Sequence, residues 1–164
     1  MKKLLFLFCA MAISLGAFAQ KGESAVGINL NVSPCLEEGA SLTNFGIAAK
    51  YQYGITDALR GEAVLGYDFK AKGVGFFELG VNVDYLFKVA NNFKVYPLVG
   101  LGYANAIFGE DGDDDLSTSR LYVNVGVGAE YSLTERIAVC IEAKYQYMKD
   151  FSRLPITLGV AYKF

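Results

Sequence analysis

The chain has no histidine and no tryptophan among its 164 residues, and only three prolines and three cysteines. Without histidine there can be no Ser-His-Asp triad, no Cys-His pair and no histidine-ligated metal. Long apolar runs are scarce too. Beyond the first twenty residues, none reaches the ~20 residues that a spanning helix needs. Basic charge is not in surplus: 15 Lys and Arg stand against 17 Asp and Glu, so nothing marks a nucleic-acid surface. What abounds is apolar or small. Hydrophobic residues make up 53%, aromatics 14% with 11 Tyr and 12 Phe, and there are 18 glycines. So apolar a chain without a spanning helix points to crossing by strands, the other structure that satisfies its backbone in lipid.

Residues 1–19 read as a cleaved signal peptide. Lys2 and Lys3 form a basic start, Leu4 to Leu15 an apolar centre, and Ala17-Phe-Ala19 a small-x-small cleavage site. Residues 20–164 then form one domain, with 13 of the 15 basic residues against all 17 acidic ones. Two cysteines remain, Cys35 and Cys140.

The last stretch sets the pattern for the rest. Ile156, Leu158, Val160, Tyr162 and Phe164 alternate with Thr157, Gly159, Ala161 and Lys163, the period of two that marks a strand with one apolar face. The same alternation predicts strands over Ala25–Val32, Asn44–Ile55, Leu59–Phe69, Phe76–Lys88, Phe93–Ala106, Ser119–Tyr131 and Ile137–Met148, with the last from Leu154. Eight strands of mostly 8 to 13 residues suit a tilted bilayer crossing, which takes about 9–11. Tight turns are expected at Thr56–Ala58, Val89–Asn92 and Ser132–Arg136, and longer connections at Ser33–Thr43 and Ile107–Thr118. Pro97 removes a ladder donor inside a strand, so a bulge is expected there. Cys35 and Cys140 fall near opposite rims, more than ~20 Å apart, against the ~4.4–6.8 Å between Cα atoms that a disulfide spans. No bridge is expected.

Alternation leaves open which face points out, since a soluble lipocalin-like barrel turns its apolar face inward. Three features orient this one. The polar face is rich in glycine, which suits a crowded lumen. Its charges nearly balance, with Lys50, Arg60, Arg120 and Lys144 opposed by Glu62, Glu78, Asp84, Glu130 and Glu142; a basic group facing lipid would cost roughly 2–4 kcal/mol at midplane. Aromatics of the apolar face gather near strand ends, as girdles at membrane interfaces do. The fold class is therefore all-β, an eight-stranded antiparallel up-and-down transmembrane β-barrel with those charges inside.

The segments Tyr96-Pro-Leu-Val-Gly-Leu-Gly-Tyr103, Val125-Gly-Val-Gly-Ala-Glu-Tyr131 and Val160-Ala-Tyr-Lys-Phe164 resemble those of eight-stranded outer-membrane barrels of the OmpA/OmpX type, the porin family or outer-membrane β-barrel domain. The resemblance implies a location in the cell outer membrane, among lipid and lipopolysaccharide. It also implies that Tyr162 and Phe164 form the C-terminal signal read by the barrel-assembly machinery. It does not extend to the peptidoglycan-binding domain of full-length OmpA.

Chemistry has few footholds. Glu62 and Glu142 could serve as an acid–base pair, but as many basic residues line the same wall, and ion pairing is the favoured reading. Asp111, Asp113 and Asp115 have alternate spacing in an acidic loop and are weak candidates for a divalent cation; a solvated loop is the plainer reading. No cofactor, enzyme activity or nucleic-acid partner is expected, and a monomer is. The expected function is a non-enzymatic barrel with a largely filled interior that contributes to envelope structure or surface interaction. The alternative is a narrow passive pore for ions or small solutes.

Overall fold

In the computed structural model the described residues are 22–36, 43–71, 73–108, 116–149 and 151–164. Residues 1–19 and the acidic stretch 110–115, with Asp111, Asp113 and Asp115, lie outside them. Every described element is a strand: β1 (Ser24–Pro34), β2 (Thr43–Gly54), β3 (Leu59–Ala71), β4 (Val74–Tyr85), β5 (Phe87–Ala90), β6 (Phe93–Phe108), β7 (Leu116–Ser132), β8 (Ile137–Met148), β9 (Phe151–Arg153) and β10 (Ile156–Lys163). All pairings are antiparallel, and β10 pairs with both β1 and β8, closing the sheet on itself. β4 with β5, and β9 with β10, each make one wall, so the closed barrel has 8 strands.

Register fixes the shape. Partner by partner, the path Ala25, Gln52, Glu62, Asn82, Gly100, Asn124, Gln146, Arg153 runs once around the barrel. It returns to the first strand at Cys35, 10 residues beyond its start at Ala25. A stagger of this kind is what tilts barrel strands by roughly 35–45°. With no strand left over within the barrel wall, the edge that an apolar terminal strand would expose is paired instead.

Alternation survives into burial. In β2 and β10 every second residue is exposed and every other one buried. The exposed set is the apolar one: Ile28 is 71% accessible and Leu158 59%, whereas Glu142, Asn29 and Thr157 are at 1–2%. Aromatics of the outer face form two bands. Tyr53, Phe87, Tyr131 and Tyr162 lie toward the short turns, and Phe45, Tyr67, Phe77 and Tyr145 toward the other end. The eight steps from Phe45 to Tyr53 span roughly 27 Å along a strand, or about 21 Å once tilted, close to the ~25 Å apolar belt of membrane barrels.

Two local expectations are corrected. Pro97 sits in unbroken register between Tyr96 and Leu98 against β7, with no bulge. The partner strand accommodates it instead: the expected single strand Phe76–Lys88 breaks at Leu86, between β4 and β5, where the β6 partners would be Pro97 and Tyr96. Having no N–H to offer there, Pro97 leaves a gap in the ladder, and the Leu86 N–H bonds to Ala58 O on the other side (2.7 Å). The register shifts among the described pairings lie elsewhere, between Asp68 and Ala71 of β3 and between Lys88 and Ala90 of β5. Second, Ile107, Phe108 and residues 116–118 belong to β6 and β7 and not to a connecting loop. Strand pairing there continues past the point where hydrophobic alternation fades.

Candidate functional site

The polar face of the strands converges on the lumen, and its ionised groups meet in three tiers. The one nearest the short turns is built on Arg60 of β3. Its Nε donates to Asp84 Oδ2 of β4 at 2.8 Å, and its Nη1 donates to Glu130 Oε2 of β7 at 2.5 Å. Lys163 (2.8 Å) and Lys94 (3.7 Å) also pair with Glu130. In the middle tier, Lys50 of β2 bridges Glu62 (2.9 Å) and Glu142 of β8. Lys144 reaches Glu142 Oε2 at 3.1 Å, and the Tyr96 hydroxyl donates to Glu142 Oε1 at 2.9 Å. Gln52 and Asn82 donate to Glu62 at 3.1 and 2.8 Å. Arg60 also lies over the Tyr96 ring, 4.7 Å from its centroid, and joins the two tiers.

The third tier, at the far end, centres on Arg153. It is fully buried, pairs with Asp68 (2.9 Å) and Glu78, and donates twice to Gln146 Oε1. Its guanidinium stacks over Phe76 at 4.2 Å. Among these residues Arg60, Lys94, Lys163, Lys50, Lys144 and Arg153 face Asp84, Glu130, Glu62, Glu142, Asp68 and Glu78. The tiers sum to zero as a set, but the turn-side tier carries one extra cation and the far tier one extra anion. Desolvating ions costs several kcal/mol each, so such groups stay charged inside only when each has close partners.

Glycine makes room for the bulkier lumen side chains. A Cβ at Gly80 or Gly102 would overlap the Tyr122 ring, and one at Gly128 would overlap Tyr96. Tyr122 with Ala104 and Met148, and Tyr96 with Leu86 and Leu98, form two small apolar clusters within the polar interior. Between the middle and far tiers lies a polar cavity of about 30 Å³. Asn29, Asn82 and Asn124 line it, and their buried Oδ1 atoms have no hydrogen-bond partner among the described residues.

Lys50, Arg60, Glu62, Asp84, Glu130, Glu142 and Lys144 are thus buried and brought together, with Glu78 half-buried. Arg120 is not among them. It keeps the lumen-side parity but is exposed, because β8 ends at Met148, opposite Tyr122, and β7 continues past it. Arg153, the best-enclosed cation, falls in what reads from sequence as a connection, since three residues are too few to show a period. Counting back by twos from Thr157 would have placed it on the lumen face. Tyr162 and Phe164 are exposed on the outer face, Phe164 at 69%. Tyr162 Oη accepts from Arg136 Nη1 at 3.3 Å, and the Phe164 N–H donates to Ser24 O at 2.9 Å. Cys35 and Cys140 are both free thiols. Among the described residues no group of three or more Cys, Asp or Glu could hold a metal ion.

The profile of the family described as outer membrane protein beta-barrel domain matches residues 5–164. No curated protein sequence matches the chain. Among solved structures, neisserial surface protein A superposes with a TM-score of 0.77 at 18% identity, covering 88% of this chain and 100% of that one. Ail, the attachment invasion locus protein of Yersinia pestis, gives 0.67 at 21% identity, with 88% and 99% covered. The N-terminal barrel domain of Pseudomonas aeruginosa OprF gives 0.63 at 19%, with 88% and 100% covered. At such identities these likenesses establish a shared fold.

Proposed function

Because this chain belongs to the outer membrane protein β-barrel domain family and is an outer-membrane barrel, we propose that it acts without catalysis, with a filled lumen and through its extracellular ends. The observation that carries this is the span of the ion pairs. Arg153 joins Glu78 of β4 from the opposite wall, four strands away in either direction around the barrel. Lys50–Glu142 and Arg60–Glu130 each bridge strands three apart. In eight strands the interior is just wide enough for side chains, so bonds that cross it occupy the section a solute would need. The short turns face the periplasm and the longer connections the exterior, as in bacterial barrels generally. In this reading the aliphatic belt and aromatic bands meet lipid and lipopolysaccharide, the protein is a monomer, and Tyr162 and Phe164 are presented to the assembly machinery.

Planar-bilayer recording of the purified protein tests the filled lumen. No steady conductance is expected, and reproducible unitary channels would sink the reading. A narrow pore is the second reading, and the polar cavity between the middle and outer tiers is the observation in its favour.

A further inference from the structure

At the short-turn end the outer wall does not become polar where its aromatic band stops. Two residues past Tyr53, Phe87, Tyr131 and Tyr162 stand four more exposed apolar side chains, Ile55, Val89, Leu133 and Phe164. They occupy the three short turns and the seam where β10 meets β1, and their exposure runs from 48% at Ile55 to 69% at Phe164. Two residues advance a strand by about 7 Å, or about 5 Å at barrel tilt. Added to the roughly 21 Å between the aromatic bands, this collar brings the apolar height to about 26 Å, matching the ~25 Å belt. The aromatic band on this side therefore lies inside the apolar boundary, and the collar is its rim.

Arg136 stands at that rim with its backbone pinned. Its N–H donates to Thr134 Oγ1 at 3.2 Å, and its carbonyl accepts from the Lys163 N–H at 2.7 Å. From the turn its side chain folds back over the outer face, where Nη1 donates to Tyr162 Oη at 3.3 Å. Leu133 belongs to the same turn, and Phe164 follows the Lys163 that pairs with Arg136. The guanidinium is thus held beside apolar groups at membrane depth. Each cation of the three lumen tiers has a carboxylate partner, but none among the described residues forms an ion pair with Arg136, the neighbouring Glu135 included. A guanidinium offers five N–H donors in a fixed fork. Among the described residues Nε and Nη2, one edge of that fork, make no hydrogen bond.

We propose that Arg136, with Tyr162, Leu133 and Phe164, binds the phosphodiester of a glycerophospholipid in the leaflet nearest the short turns. The free edge of the fork matches two phosphate oxygens, while Leu133 and Phe164 lie against the upper part of an acyl chain. The occupant is a lipid and not a periplasmic protein, because the collar lies within the height that a bilayer covers. An arginine at that depth keeps its head at the headgroup level, where phosphate is the anion at hand. The proposal deepens the lipid contact of the function above and rests on that reading only for the leaflet's identity, the periplasmic one.

Titrating the full chain in maltoside micelles with dioleoylphosphatidylglycerol tests this, read by NMR at the Arg136 Nε–H. A saturable shift is expected with the phospholipid and none with dioleoylglycerol, which keeps the chains and lacks the phosphate. Inorganic phosphate at millimolar concentration should give none either; a shift as large with phosphate alone would reduce the site to one for free anions and overturn the proposal. Native mass spectrometry of the same samples counts the lipid retained. Arg136→Gln should weaken retention roughly tenfold, the factor that one charge-assisted hydrogen bond contributes. Arg136→Lys, which keeps the charge and loses the fork, should weaken it less. Tyr162→Phe removes no charge but frees the Arg136 side chain, and should weaken it too. The unfolding midpoint of each variant in lipid-free micelles should match the parent, which separates lost binding from lost fold. Equal retention by Arg136→Gln, or an equal shift with dioleoylglycerol, would overturn the proposal. A conducting barrel that holds the lipid would refute the filled lumen and leave this site standing; a silent barrel whose Arg136 ignores the lipid would do the reverse.

Discussion

Arg153 shows what a single side chain does in this lumen. It holds Asp68 and Glu78 together while stacked on Phe76. Removing one member of a buried pair leaves its partners charged and uncompensated, at a cost of about 3–5 kcal/mol. Arg153→Ala should therefore lower the urea midpoint of the barrel in detergent. Adding Asp68→Asn and Glu78→Gln should recover much of the loss, because the stranded charges are then gone. If the triple variant were no more stable than the single one, charge would not be the cause. Glycine acts by exclusion. Gly102→Val would drive a side chain into the Tyr122 ring, an overpacking expected to cost about 1–3 kcal/mol. The cost should shrink in a Tyr122→Ala background, as a double-mutant cycle would read directly. Neither residue could be ranked from sequence. Arg153 lies in a segment too short for a period, and a glycine carries no mark of which ring lies over it.

Elements are joined by turns that reuse one device. In Ile55-Thr-Asp-Ala-Leu59, Thr56 Oγ1 accepts from the N–H groups of Ala58 (3.3 Å) and Leu59 (2.9 Å). In Leu133-Thr-Glu-Arg-Ile137, Thr134 Oγ1 accepts from Arg136 (3.2 Å) and Ile137 (2.9 Å). Ile55 N–H to Leu59 O and Leu133 N–H to Ile137 O close the two loops at 2.9 Å each. Hydroxyl turns of this kind were legible as turns in the sequence. Thr56→Ala and Thr134→Ala should each cost about 0.5–1.5 kcal/mol, and the losses should add, since the turns join different strand pairs. A loss in the double variant well beyond the sum would show that the turns are coupled. The break in the fourth wall has a different origin. It lies opposite Pro97 and Tyr96 of the neighbouring strand, and a period of two within one strand carries no information about a donor missing from the next. Pro97→Val, on the lipid face, is expected to leave the midpoint within ~0.5 kcal/mol of the parent or above it; a large loss would mean the proline has a packing role.

At the scale of the whole molecule, the ion pairs of the three tiers balance as a set but not along the lumen, with an extra cation toward the short turns and an extra anion toward the far end. Ions shielded inside a barrel are screened far less by salt than exposed pairs. The urea midpoint should accordingly change little between ~0.1 and ~1 M NaCl. A steep fall would mean that solvent and salt reach the tiers, which would also favour the pore reading.

Composition and alternation determined by themselves that this chain spans a membrane with strands, which face meets lipid, and, apart from the break at Leu86 and the far ends of β6 and β7, where the strands and turns fall. Those properties repeat along one strand and need no knowledge of its neighbours. The apolar reading of Ile156–Phe164 is of this kind. Only the tertiary structure decided which charge pairs with which, that Arg153 belongs to the lumen while Arg120 stands above it, and that β7 runs past the end of its pairing with β8. Each of these depends on the register between strands, summed around a closed barrel to a stagger of 10 residues from Ala25 to Cys35. A stagger is a relation between segments far apart in sequence, so no single segment records it.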